Sequence, residues 1–179
     1  HLIPARVVGV RLQQLLQPVG LQRPPHLRGS AGADGVGGGF VGAAHIEALR
    51  RLGFVEIAAV SNRHDPQAKA EALFVPKGYA DYREMLETEK PDVVHICTPN
   101  DSHYEIAMFA MQRGIHVICE KPMTRTLEEA RLLAEYAAAH HLVNAVNFNC
   151  RFYPQILEAR STVQSGSLGT IRAILGGYL

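Results

Sequence analysis

The chain has 179 residues, 47% of them hydrophobic and 20% charged, with a formal net charge of +1. This suits one soluble globular domain, or one domain with a piece of another, and supplies no charge excess for a nucleic acid or a membrane surface as partner. No apolar run approaches the roughly 20 residues that span a bilayer.

Residues 1–34 stand apart from the rest. They carry Arg6, Arg11, Arg23 and Arg28, and no acid before Asp34. A transit peptide shares that bias but is Ser-rich, and only Ser30 occurs here. A disordered or non-native leader is the expectation, and a chain opening on His rather than Met is expected to be a fragment. "RVVGVRL" (6–12) is strand-like, whereas "GSAGAD" (29–34) has almost no apolar side chain to bury.

From Gly35 the pattern becomes regular. "VGAAHIEALRRLG" places Val41, His45, Ala48 and Leu52 on one helical stripe and stops at Gly53. "VEIAAVS" (55–61) reads as one buried strand, and "HDPQAKAEAL" as a helix with Asp65 at the N-cap and Pro66 at its first position. "DYREMLE" is a short helix, and "PDVVHICTPN" a strand entered through Pro91. "SHYEIAMFAMQRG" carries a capping box, Ser102 with Glu105, and ends at Gly114. "IHVICEKP" is a strand, Thr126 and Glu129 form a second box, and "LVNAVNF" closes the series.

This alternation predicts an α/β fold, a doubly wound parallel sheet of Rossmann type over residues 35–150. Residues 151–179 read as the start of a second α/β domain, with a helix after Pro154 and a terminal strand from Thr170.

Gly37-x-Gly39-x-x-Gly42 fits a dinucleotide turn, in which glycines permit a tight bend, close approach to a pyrophosphate and close helix packing. Glycine runs also occur in plain loops; the helix behind this one and the strand at 55–60 favour the dinucleotide. After that strand stands Ser61-Asn62-Arg63-His64, where an NAD site usually has an acid. Ser, Asn and Arg can accept a 2′-phosphate, which favours NADP over NAD, although a solvated turn is the plain alternative and Asp65 lies close by.

Thr98 and Asn100, at the carboxyl end of a strand, can hydrogen-bond a ribose or phosphate. His103 beside them, taken alone, reads as an exposed surface histidine. Lys121, fixed by Pro122, can hydrogen-bond a reacting hydroxyl, or form an ordinary surface pair with Glu120. Adjacent His140 and His141 diverge by about 100° on a helix, so no metal site is expected. His95 and His116 lie within strands and read as satisfied core or sheet-edge residues. Cys97 and Cys119, inside strand-like runs, read with Cys150 as reduced thiols, which places the chain in the cytoplasm.

Taken together, "GGGFVGAAHIEALRRLG", the order TPNxxH then EKP then "TLEEA", and "VNFNCRFYPQ" closely resemble the N-terminal half of the Gfo/Idh/MocA family of NAD(P)-dependent oxidoreductases. The resemblance runs from about Gly35 to the end of the chain. It implies that Gly37, Gly39, Phe40, Val41 and Gly42 hold the pyrophosphate and that Ser61, Asn62 and Arg63 face the adenosine ribose. Thr98, Pro99, Asn100 and His103 would line the cofactor cleft. Glu120 and Lys121 would lie at the nicotinamide end, with Lys121 catalytic, and Arg151 in the interdomain crossing.

The implied reaction is hydride transfer between nicotinamide and a hydroxyl-bearing carbon of a sugar, inositol or similar polyol. This chain departs from the family pattern in lacking an apolar first strand and the second domain, through which a homo-oligomer would form. Cofactor binding without turnover is therefore the expectation for the chain itself. A non-enzymatic dinucleotide-binding or regulatory module is the alternative, against which the EKP lysine argues.

Overall fold

The computed structural model describes residues 7–8, 27–31 and 40–177. By its internal contacts the chain divides into two units, residues 1–147 and 148–179. The division falls three residues before the boundary expected after residue 150.

In the first unit, strands β1 (Val7–Val8), β2 (Leu27–Ala31), β3 (Val55–Ile57), β6 (Val93–Ile96), β7 (His116–Glu120) and β8 (Asn144–Asn147) form one six-stranded sheet. β2 is parallel to β3, with Leu27 opposite Val55, and parallel to β6, with Ala31 opposite His95. It therefore occupies the central place of a doubly wound sheet, where "GSAGAD" was read as unable to serve. Central parallel strands are usually apolar on both faces, but ladder membership is decided by backbone N–H and C=O groups, which every such residue carries. β1 is antiparallel to both β2 and β6. β6, β7 and β8 follow in parallel register, Ile96 opposite Cys119 and Glu120 opposite Asn147.

The expected strand 55–61 is two strands. β3 ends at Ile57, and β4 (Val60–Ser61) pairs instead with β5 (Gly78–Tyr79) in a two-stranded ladder.

Helices α1 (Phe40–Arg51), α2 (Pro66–Ala72), α3 (Tyr82–Glu89), α4 (His103–Met111) and α5 (Leu127–Ala139) connect the strands. The alternation of side chains along a strand divides the core into two layers. From β6 and β7, Val94, Ile96, Val117 and Cys119 pack with Ile106 and Met111 of α4 and Leu133 of α5. Val93 points the other way, to Ile46 and Leu49 of α1, Ala70 of α2 and Ile57.

The buried face of α1 is therefore Gly42, Ile46 and Leu49, with His45 half-buried; of the stripe read from sequence, Val41, Ala48 and Leu52 are exposed. The two stripes share the helical period and differ by one residue, and Ile46 and Leu49 win because they have the larger apolar side chains to bury.

Helix starts differ in the same instructive way. Asp65 caps α2 by accepting from the Ala68 N–H, and Asp81 caps α3 through the Arg83 N–H. The Thr126–Glu129 box of α5 is fully formed. The Ser102–Glu105 box of α4 is not: Ser102 Oγ donates toward Thr98 Oγ1 and the Pro99 carbonyl, each at 2.8 Å. Glu105 is drawn instead to Arg83 and to the Tyr82 hydroxyl.

The second unit contains a 3-10 turn (Asn149–Phe152) and α6 (Pro154–Gln164). Among the described residues the strand expected from Thr170 is absent, and residues 171–177 have no regular structure. A strand exists only against a ladder partner, and residues 171–177 pair with no other described strand.

Candidate functional site

The parallel strands carry their chemistry-bearing residues past their carboxyl ends, at one edge of the sheet. β6 runs into Cys97-Thr98-Pro99-Asn100, and β7 ends at Glu120, followed by Lys121 and a cis Lys121–Pro122 peptide. In open α/β sheets this edge is where ligands bind.

Thr98 is buried, its hydroxyl donating to the Pro99 carbonyl (3.1 Å) and accepting from Ser102 (2.8 Å). Pro99 is half-buried, and Asn100 is exposed. His103, expected to line the cleft, is only 1% exposed. Its Nδ1 lies 2.7 Å from the Pro122 carbonyl oxygen and its Nε2 lies 2.8 Å from that of Thr98. With both nitrogens facing backbone carbonyls, His103 lies between the β6 and β7 loops, its single N–H donating to one of the two.

Lys121 is exposed, and its backbone N–H donates to Glu120 Oε2 (3.3 Å). Glu120 Oε1 accepts from Asn147 Nδ2 at 2.5 Å and lies 3.1 Å from His45 Nε2. His45 Nδ1 in turn lies 2.9 Å from His95 Nδ1, with the rings edge to face. Burial, and secondarily His45, hold the His95 imidazole well below its usual 6.5. His95 was read as fully satisfied, yet its Nε2 has no partner among the described residues. His116 does meet that reading, its Nδ1 accepting from the Val143 N–H at 3.1 Å.

At the end of β4, Ser61 and Asn62 are buried, at 2% and 7% exposure, and Arg63 is exposed. A cavity of about 140 Å³ opens beside them, lined by Ser61, Arg63, Ala80, Asp81, Tyr82 and Arg83. Asp65, which left the cofactor choice open, turns its carboxylate into the α2 cap. A larger cavity, about 470 Å³, lies at the opposite edge of the sheet beside Asp92 and Ile115, which precede β6 and β7. Its lining shares no residue with the Thr98 and Lys121 loops, which sets it apart from this site.

Of the glycine turn, Gly37 and Gly39 lie outside the described residues. Phe40 begins α1, Val41 is exposed and Gly42 is buried. The first turn of α1 holds no acid, so nothing there opposes an anion at the positive end of the helix. Arg151 belongs to the second unit, where it is exposed in the 3-10 turn. The edge thus offers hydroxyl and amide donors, an acid-free helix start and a lysine, a donor set that fits a dinucleotide.

Sequence reading missed His45 and Asn147 as members of the site, and Asp81 and Arg83 as walls of the smaller cavity. His45, three residues after Gly42, was absorbed into the helical stripe.

The family model for the oxidoreductase family with an NAD-binding Rossmann fold, Gfo/Idh/MocA, matches residues 35–148. The chain belongs to this family and carries its dinucleotide-binding domain. It is 32% identical over 154 residues to levoglucosan dehydrogenase of Pseudarthrobacter phenanthrenivorans, a match covering 80% of this chain and 40% of that protein. It is 39% identical over 119 residues to D-glucoside 3-dehydrogenase of Escherichia coli, covering 65% of this chain and 34% of the relative. A solved levoglucosan dehydrogenase, in complex with NADH and levoglucosan, superposes with a TM-score of 0.68 at 30% identity, covering 74% of this chain and 38% of that one. The chain thus spans about 40% of the length of these relatives. Among the described residues no helix is long and apolar enough to cross a membrane.

Proposed function

We propose that the chain is the cofactor-binding part of a sugar or polyol dehydrogenase that uses NADP in preference to NAD. The observation that carries this is the meeting of the Thr98 loop and the Glu120–Lys121 segment at the carboxyl edge of the sheet, tied together through His103. A bound nicotinamide supplies the hydride acceptor or donor; the residues of this chain bind it and orient it. Thr98, Pro99 and Asn100 form one wall, and Lys121 hydrogen-bonds the hydroxyl whose carbon exchanges the hydride, stabilising its alkoxide-like state. Gly37, Gly39 and Gly42 take the pyrophosphate.

The preference for NADP rests on the β4 end. Ser61, Asn62 and Arg63 present donors without a free carboxylate, since Asp65 is committed to capping α2. The neighbouring Asp81 caps α3 and lies 3.8 Å from the Arg83 guanidinium. The relatives act on levoglucosan and a D-glucoside by their names, so a cyclic sugar-like alcohol is the substrate class proposed for the whole protein.

Thermal melts with NADPH and with NADH test the reading. A ligand at about 100 times its Kd adds roughly 2.7 kcal/mol to a folded binder. The expected result is a rise with NADPH exceeding that with NADH, and loss of the difference in Arg63→Ala. No rise with either dinucleotide overturns the proposal.

A further inference from the structure

His45, His95, Glu120 and Asn147 come from α1, β6, β7 and β8, four elements far apart in sequence, and their polar atoms meet beside the Lys121 peptide. The hydrogens of this network follow from its chemistry. Glu120 Oε1, a carboxylate oxygen, only accepts, so the His45 Nε2 that faces it at 3.1 Å carries the hydrogen. A neutral His45 then has a bare Nδ1, which accepts from His95 Nδ1–H at 2.9 Å. His95 is left with a bare Nε2, which is the atom that has no partner among the described residues.

The opposite tautomers set a lone pair of His45 against a carboxylate and strand a buried N–H, the costlier and rarer defect. Asn147 Nδ2, 3.0 Å from His45 Nε2, spends its donor on Glu120 Oε1 at 2.5 Å. The remaining carboxylate oxygen, Oε2, accepts the Lys121 N–H.

We propose that His45 is a positioning residue for Lys121. With its tautomer set by His95 and with Asn147 beside it, it clamps the Glu120 carboxylate, and the carboxylate holds the peptide that carries the lysine. The inference rests on the reading of Lys121 as the residue at the nicotinamide end, and it assigns to the α1 histidine a task beyond packing. A packing role asks only for volume. A positioning role asks for an N–H at the place of Nε2, which glutamine offers and leucine does not.

The test combines histidine ¹⁵N shifts, the Lys121 amide resonance and NADPH titration on the 179-residue chain and two variants. The expected result is an Nε2–H tautomer at His45 in the parent. His45→Leu then moves the Lys121 amide resonance and weakens NADPH binding about tenfold, ~1.4 kcal/mol. His45→Gln restores both, with affinity within about twofold of the parent. An Nδ1–H tautomer at His45, a Lys121 amide unmoved by His45→Leu, or a Gln variant as weak as the Leu variant overturns the proposal. If His45→Leu does not fold, the tautomer and the Gln variant decide. A parent that binds neither NADPH nor NADH overturns the proposed function instead, while the tautomer and the amide resonance still judge the clamp.

Discussion

His95 is 6% exposed, and burial holds its imidazole neutral well below the usual 6.5. An unfolded chain takes up a proton at this histidine near pH 6.5, and the folded chain does not. Below that pH the unfolded state therefore binds more protons, and stability falls as pH falls, by up to about 1.4 kcal/mol per pH unit for this group. Urea unfolding at about pH 7 and about pH 5 should show the loss in the parent and a shallower loss in His95→Gln; equal slopes would remove His95 as the cause. Cys119 makes the converse case. Burial, with the Glu120 carboxylate behind it, raises its thiol to about 12, so it stays protonated and unreactive at neutral pH. Cys97 is buried as well, whereas Cys150 is exposed. Brief treatment of the folded chain with iodoacetamide, followed by mass spectrometry, should find the label on Cys150 alone.

Among the elements, the two capping boxes make a controlled comparison. In α5 Thr126 and Glu129 bond each other's backbone, and Thr126→Ala should cost about 1 kcal/mol of stability in a denaturant melt. In α4 Ser102 makes no cap bond, so Ser102→Ala should cost the helix less and loosen the Thr98 loop, which shows as weaker dinucleotide binding. The sequence pattern S-x-x-E was the same in kind for both. What it lacked was the tertiary partner: Arg83 claims Glu105, and Thr98 and Pro99 claim Ser102. The same limit explains β2. The strands β6 to β8 and their helices were legible because their apolar residues recur at the period that buries them. Leu27–Ala31 carries no such pattern, and its place follows only from pairing with β3 and β6. The site divided likewise. Lys121, Thr98 and Ser61 were picked out because each closes or follows an apolar run of the sequence. The link from His45 through Glu120 was not, because |i−j| of 75 residues leaves no local trace.

At the scale of the whole molecule, both apolar clusters lie within residues 1–147. Every described residue from Phe148 to Gly177 is exposed, apart from half-buried Thr162. Phe152, Ile156, Leu168, Ile174 and Leu175 are between 50% and 96% exposed, an apolar surface that favours self-association. Truncation after Asn147 should therefore leave the melting midpoint within about 2–4 °C of the parent, the shift that ~1 kcal/mol produces at this size. It should also lessen concentration-dependent association in size-exclusion chromatography. A collapse of the cooperative transition on truncation would mean that the first unit depends on the second.

The placing of His103 between two loops has a thermal consequence. Because one buried ring is wedged between the Thr98 and Pro122 carbonyls, opening either loop removes a packing surface of the other. The amides of 97–102 and 121–124 should then exchange with deuterium as one cooperative unit. A dinucleotide settling against the first loop meets a second that is already immobilised, so the entropy of ordering that edge is spent in the folding of the apo chain and not again at each binding event.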